Sequence, residues 1–125
     1  MGQKKILVVD DIFINRILLT EILMDLNMPY EEASNGEEAI DRLKADSSIF
    51  LVLMDIEMPV MNGFEATTHI REKFSEPLRS IPVVAITAHD PNTFAGEFEG
   101  AGFNDMITKP YTMLKIERML RKYQK

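Results

Sequence analysis

The sequence predicts an α/β fold: a doubly wound, five-stranded parallel sheet with helices on both faces. Three observations predict it. Short β-branched and leucine-rich runs alternate with segments whose apolar residues recur at helical spacing. Two of the runs, 50–54 and 81–87, are apolar on both alternating faces, as strands covered by helices on both sides are. Strict alternation of strand and helix favours right-handed crossovers within one parallel sheet.

In chain order, "KILVV" (5–9) is the first strand, stopped by Asp10 and Asp11. Residues 12–26 carry Phe13, Ile17, Leu18, Leu23 and Leu26 at helical spacing. "YEEAS" (30–34) is a strand polar enough for a sheet edge. Ser34 is the capping residue of a helix over 34–45, with Ala39, Ile40 and Leu43 on one face. "FLVLM" (50–54) is the strongest strand and runs into Asp55. A loop over 56–63, with Pro59 and Gly63, leads to a helix at 64–74.

"IPVVAIT" (81–87) is the fourth strand. Asp90-Pro91 reads as the cap and first turn of a fourth helix. Gly96 and Gly100 weaken that helix by about 1 kcal/mol each against alanine. Phe94 and Phe98, four apart, face the core or, as the second reading, a partner. "NDMIT" (104–108) is the fifth strand. "YTMLKIERMLRKYQ" (111–124) is a helix with Met113, Ile116, Leu120 and Tyr123 on one face. No repeat or linker interrupts the pattern, so residues 1–125 read as one domain.

Composition narrows the function. The chain is 46% hydrophobic and 27% charged, in the range of soluble globular proteins. A net charge of −6 argues against non-specific nucleic-acid binding. The absence of cysteine removes a disulfide framework, a thiolate metal site and a cysteine nucleophile, and it fits a reducing cytoplasm. The apolar runs fall far short of a membrane span. "MGQKKILVV" is too short and too soon charged for a signal peptide, and Ile6 stands where a myristoylation signal has Ser or Thr.

The polar residues fall in a pattern. The first strand ends at Asp10 and Asp11, the third at Asp55, the fourth at Thr87, and the fifth at Thr108-Lys109, before Pro110. In a parallel sheet all carboxyl ends lie on one edge, where open α/β sheets bind ligands. Three carboxylates gathered there repel one another unless a cation joins them. Two cations would serve: the ammonium of Lys109, and a divalent metal such as Mg²⁺, which takes a few carboxylates, retained waters and a phosphate. A carboxylate beside both is a candidate nucleophile for phosphoryl transfer. Each residue also has a structural reading alone. Asp10 and Asp11 could cap the next helix, Asp55 a turn; Thr87 could simply end a strand, and Lys109 could be solvated.

"ILVVDD" (6–11), "LMDIEMPVMNGFEA" (53–66), "IPVVAITA" (81–88) and "AGFNDMITKP" (101–110), in this order and spacing, resemble the receiver domain of two-component response regulators. "DDIFINRILL" and "MDIEMPVMNG" are closest in style to receivers of hybrid sensor kinases. The resemblance implies a flavodoxin-like sheet of order 2-1-3-4-5. It implies that Asp55 accepts a phosphoryl group from a histidine on a kinase or phosphotransfer protein. Asp11, Asp55 and the carbonyl of Glu57 would bind Mg²⁺, and Asp10 would act through a metal-bound water. Lys109 would pair with Asp55 and then with the phosphoryl oxygens, and Thr87 would supply a hydroxyl. The Lys109-Pro110 bond would be cis, aiming the lysine inward. Phosphorylation would draw Thr87 inward and rearrange the surface around the fourth helix.

Met106 departs from the family, which usually has an aromatic residue there; methionine fills gaps and cannot make a phenolic bond. Glu57 and His89, two positions after Asp55 and Thr87, would flank the phosphoryl group, with His89 influencing hydrolysis. His69 carries no assigned role. Three other functions stay open. One is an aspartyl-nucleophile, Mg²⁺-dependent phosphatase, against which stands the missing D-x-D after the first strand. Another is an FMN carrier, whose phosphate Asp10 and Asp11 would repel. The third is a receiver-like interaction module that is never phosphorylated. The chain reads as a stand-alone regulator or as a receiver cut from a longer protein, with its downstream target left open.

Overall fold

Residues 3–88 and 100–124 are described in this computed structural model. In chain order they form β1 (Lys5–Val9), α1 (Phe13–Asp25), β2 (Tyr30–Ala33), α2 (Gly36–Ala45), β3 (Ile49–Asp55) and α3 (Gly63–Lys73). A 3-10 turn (Leu78–Ser80), β4 (Val83–Thr87), β5 (Asp105–Thr108) and α4 (Met113–Tyr123) follow. The strands make one sheet in the order β2-β1-β3-β4-β5, every neighbouring pair parallel. This is the doubly wound arrangement and strand order that the sequence led us to expect. The reading of a helix from Asp90-Pro91, with Phe94, Gly96 and Phe98, falls outside the described residues, as does His89.

The two apolar faces of the central strands divide the core in two. Leu7, Val9, Val52 and Met54 point into one cluster with Ala39, Ile40 and Leu43 of α2 and Ala66 and Ile70 of α3. Ile6, Val8, Leu51 and Leu53 point into the other, with Leu19 and Leu23 of α1 and Ile116 and Leu120 of α4. Alternation along a strand sends neighbouring side chains to opposite faces, so a doubly covered strand must be apolar throughout. β2, the polar strand, lies at the sheet edge.

Local expectations are corrected at four points. α1 buries Leu19, Thr20 and Leu23, whereas Phe13 and Leu18, two of the residues read at helical spacing, are exposed. Helical spacing could not choose, because Ile14, Leu18 and Met24 give α1 a second apolar side that stays in water. The cap of α2 is Asn35, whose side chain accepts the Glu38 N–H at 2.8 Å; Ser34 instead bonds the Glu38 carboxylate through its own N–H and hydroxyl. β4 begins at Val83, two residues later than the apolar run, because Pro82 has no N–H to give a ladder. Met113, read on one face of α4 with Ile116 and Leu120, is exposed while those two are buried.

Candidate functional site

Strand register brings the polar residues together. Val9 lies opposite Met54, so Asp10 and Asp55, one residue further on each strand, leave the sheet side by side. Asp55 pairs with Ile86, which places Thr87 next along β4. Thr87 pairs with Thr108, which puts Lys109 just beyond the same edge. The polar ends of β1, β3, β4 and β5 thus meet although they are far apart in sequence.

Carboxylate oxygens of Asp10, Asp11 and Asp55 all lie within 4.8 Å of one another. Asp10 and Asp55 are buried, at 4% and 5% exposure, while Asp11 is open to water. The Lys109 ammonium sits 3.5 Å from Asp55 Oδ2 and 3.8 Å from Asp10 Oδ2. Asp55 Oδ1 accepts the N–H of Glu57 at 3.2 Å. Burial pushes the Asp55 carboxyl up to about 6 and the Asp10 charge adds to this, while Lys109 and the Glu57 N–H pull the other way. Thr87 is buried at the end of β4, and its carbonyl accepts the Lys109 N–H at 2.7 Å. The Lys109-Pro110 peptide bond is cis. Asp10 does contact the start of α1, accepting the Ile12 N–H at 2.9 Å, but Asp11 makes no such cap and the N-cap position is Ile12.

The loop after β3 is shaped by two unusual positions. Met61 donates its N–H to the Pro59 carbonyl at 2.8 Å, closing a three-residue turn around Val60. Val60 holds φ at +71°, a region that costs a β-branched residue of order 1 kcal/mol or more. It is also 75% exposed, so its side chain gains little from packing. Val60→Gly is therefore expected to stabilise the protein by about 1 kcal/mol, read as a higher midpoint in urea unfolding. Gly63 opens α3 with its backbone against Asp55: a Cβ there would lie 2.6 Å from the Asp55 carbonyl oxygen.

A family model, "Response regulator receiver domain", matches residues 6–121. The chain belongs to this family. It is 35% identical over 116 residues to Two-component response regulator 24 of Arabidopsis thaliana, covering 93% of this chain and 81% of that protein. It is 35% identical over 127 residues to Hybrid signal transduction histidine kinase L of Dictyostelium discoideum, where it spans 7% of the length. Among solved structures, it resembles the receiver domain of sensor histidine kinase PA1611 from Pseudomonas aeruginosa, with a TM-score of 0.87, 27% identity and 98% of each chain covered. That structure has a magnesium ion coordinated in its active site cleft. The receiver domain of Ssk1 from Saccharomyces cerevisiae, solved with the histidine phosphotransfer protein Ypd1, matches with a TM-score of 0.82 and 28% identity, covering 97% of this chain and 88% of that one.

Two residues of this receiver's site were not singled out from sequence. Arg16 donates to the Asp10 carbonyl at 2.6 Å and to Glu32 at 3.2 Å, with its guanidinium over the Phe13 ring at 5.6 Å. Tyr111 donates to the Asn15 carbonyl at 2.8 Å, and burial followed by the Asp10 and Asp55 charges pushes its phenol up to about 12. Arg16 lies within "DDIFINRILL" and Tyr111 directly follows "AGFNDMITKP", but neither motif by itself marks the carbonyl each one meets. Met106 is half-buried opposite Ala85 on β4. His69 meets Phe74 edge-on at 5.5 Å. Among the described residues, no helix is long and apolar enough to cross a membrane.

Proposed function

We propose that residues 1–125 act as one receiver domain that takes a phosphoryl group from a phosphohistidine onto Asp55, in a Mg²⁺-dependent reaction, and thereby changes its partner-binding surface. The observation that carries this reading is the Asp55 carboxylate, buried at the centre of an acidic cluster with a lysine 3.5 Å away. The donor set fits Mg²⁺: three hard carboxylates, close together and short of cations. Asp11 and Asp55, with the carbonyl of Glu57, would hold the ion, and Asp10 would act through a bound water. Bound there, Mg²⁺ would neutralise charge on the transferring group.

The chain's own residues do the rest. Asp55 Oδ attacks phosphorus in line as the phosphorus–nitrogen bond to the donor histidine breaks, and the imidazole leaves with the bonding electrons. The Lys109 ammonium, released from its carboxylate pair, follows the negative charge to the phosphoryl oxygens. The Thr87 hydroxyl donates to another. The protein is a phosphoacceptor that catalyses only its own phosphorylation and dephosphorylation. A module that is never phosphorylated has only Met106 in its favour, since the acidic pocket and Lys109 are all present.

The partner is a histidine kinase or a histidine phosphotransfer protein. Ile12, at the N-cap of α1, and Phe13, Ile14 and Leu18 within it expose apolar side chains just after the acidic cluster. They continue into a groove lined by Leu18, Ile22, Pro110 and Tyr111. Such a patch at the mouth of a site suits a docked protein donor. Acetyl phosphate with Mg²⁺ should phosphorylate Asp55, as should the cognate protein in a panel of the source organism's histidine kinases and phosphotransfer proteins. Leu18→Ser should slow transfer from that protein about tenfold and leave acetyl phosphate unaffected. A protein that accepts from neither source overturns the reading.

A further inference from the structure

We propose that Lys115 is a positioning residue for Lys109, an inference that rests on the role just given to Lys109. It begins with three helix caps. α2, α3 and α4 each start at a side chain, Asn35, Asn62 or Thr112, that accepts the N–H three residues on. In α2 and α3 that third residue is a glutamate, Glu38 or Glu65. Its charge suits the positive end of the helix dipole, and its carboxylate turns back: Glu65 accepts the Asn62 N–H at 3.0 Å, and Glu38 the Ser34 N–H at 3.0 Å.

α4 has a lysine at the same position, the unfavourable sign for that helix end. Its ammonium also turns back, but to two carbonyls: Thr108 at 3.2 Å and Pro110 at 3.1 Å. These are the carbonyls of the two residues that flank Lys109 in the chain. The loop is tied at two further points, by the Lys109 N–H on the Thr87 carbonyl at 2.7 Å and by the Tyr111 hydroxyl on the Asn15 carbonyl at 2.8 Å. Lys115 thus fastens the Lys109 segment to the first turn of α4, with a side chain that the cap alone would not select. Lys109 stands 3.5 Å from Asp55 at the outer edge of hydrogen bonding. Small displacements of a positioned group are costly: a shift of about 1 Å can lose up to about a hundredfold in rate.

Lys115 is exposed, so its variants are expected to fold. Asp55 phosphorylation by acetyl phosphate and Mg²⁺, followed by intact mass, should slow at least about threefold in Lys115→Met, while Mg²⁺ affinity stays within about twofold of wild type. In a Lys109→Met background, adding Lys115→Met should cost nothing further. Lys115→Glu, which completes the cap, should melt no lower than wild type yet also phosphorylate more slowly. Wild-type rates in Lys115→Met, an equal further loss in the Lys109→Met background, or rate losses that track melting temperature overturn the positioning role and leave Asp55 phosphorylation standing. A wild-type protein that is not phosphorylated at all overturns both.

Discussion

Asp55→Asn is expected to abolish phosphoryl uptake from every donor and, at the same time, to stabilise the metal-free protein at neutral pH. The amide is no nucleophile, so intact mass should show no phosphoryl gain with acetyl phosphate and Mg²⁺. The stability effect follows from the pocket. Burial first, and the Asp10 charge second, push the Asp55 carboxyl up to about 6, above its ordinary 3.8. A carboxyl whose folded value lies above its unfolded value binds its proton more tightly when folded. Its contribution to stability is full below about pH 4 and is lost as pH rises through about 6. Asparagine has no such slope. The variant's advantage should therefore be small at pH 4 and reach about 1–2 kcal/mol by pH 8. The full conversion of about 1.4 kcal/mol per unit is not reached, because the open side of the pocket admits water. Urea unfolding of both proteins across this range measures it. A stability difference that does not grow with pH would sink the electrostatic account. Added Mg²⁺ should stabilise wild type more than the variant and narrow the gap.

Gly63→Val should cost about 3 kcal/mol of stability and slow phosphorylation as well. A Cβ at Gly63 would stand 2.6 Å from the Asp55 carbonyl oxygen and 2.9 Å from the Ile56 Cα. Both neighbours are backbone, and the Gly63 N–H is bonded to the Ile56 carbonyl at 2.9 Å. Neither side can yield without moving the start of α3 or the end of β3, and the end of β3 carries Asp55. Urea unfolding gives the first effect and the acetyl phosphate assay the second. A variant as stable as wild type would show that α3 shifts freely and that this close approach does not hold the site.

Much of the fold was legible because a buried parallel sheet writes itself plainly. β1, β3 and β4 are apolar on both faces because helices cover both, and β2 is polar because it lies at an edge. The cluster of Asp10, Asp11 and Asp55 with Lys109 followed from strand periodicity and chain direction, since parallel strands end on one side. The apolar faces of α1 were not legible. Its spacing offers two stripes, and only packing against β1 and β3 buries Leu19 and Leu23 rather than Leu18. Ser34 and Asn35 are both capping residues, and the backbone entry angle selected Asn35.

By itself, then, the sequence determined which residues end the strands, which strands are central, and what charge collects at the carboxyl edge. These are local properties: side-chain type, period 2 or 3.6, and chain direction. Tertiary structure alone decided the distances between those ends and the residues that hold them. Lys109 lies beside Asp55 across 54 positions, and Tyr111 is tied to Asn15 across 96. Arg16 grips a backbone carbonyl, and Lys115 grips two. Carbonyls are the same at every residue, so a cation that seeks them leaves no mark in the sequence of its partner. Only the path of the folded chain shows which carbonyl it meets.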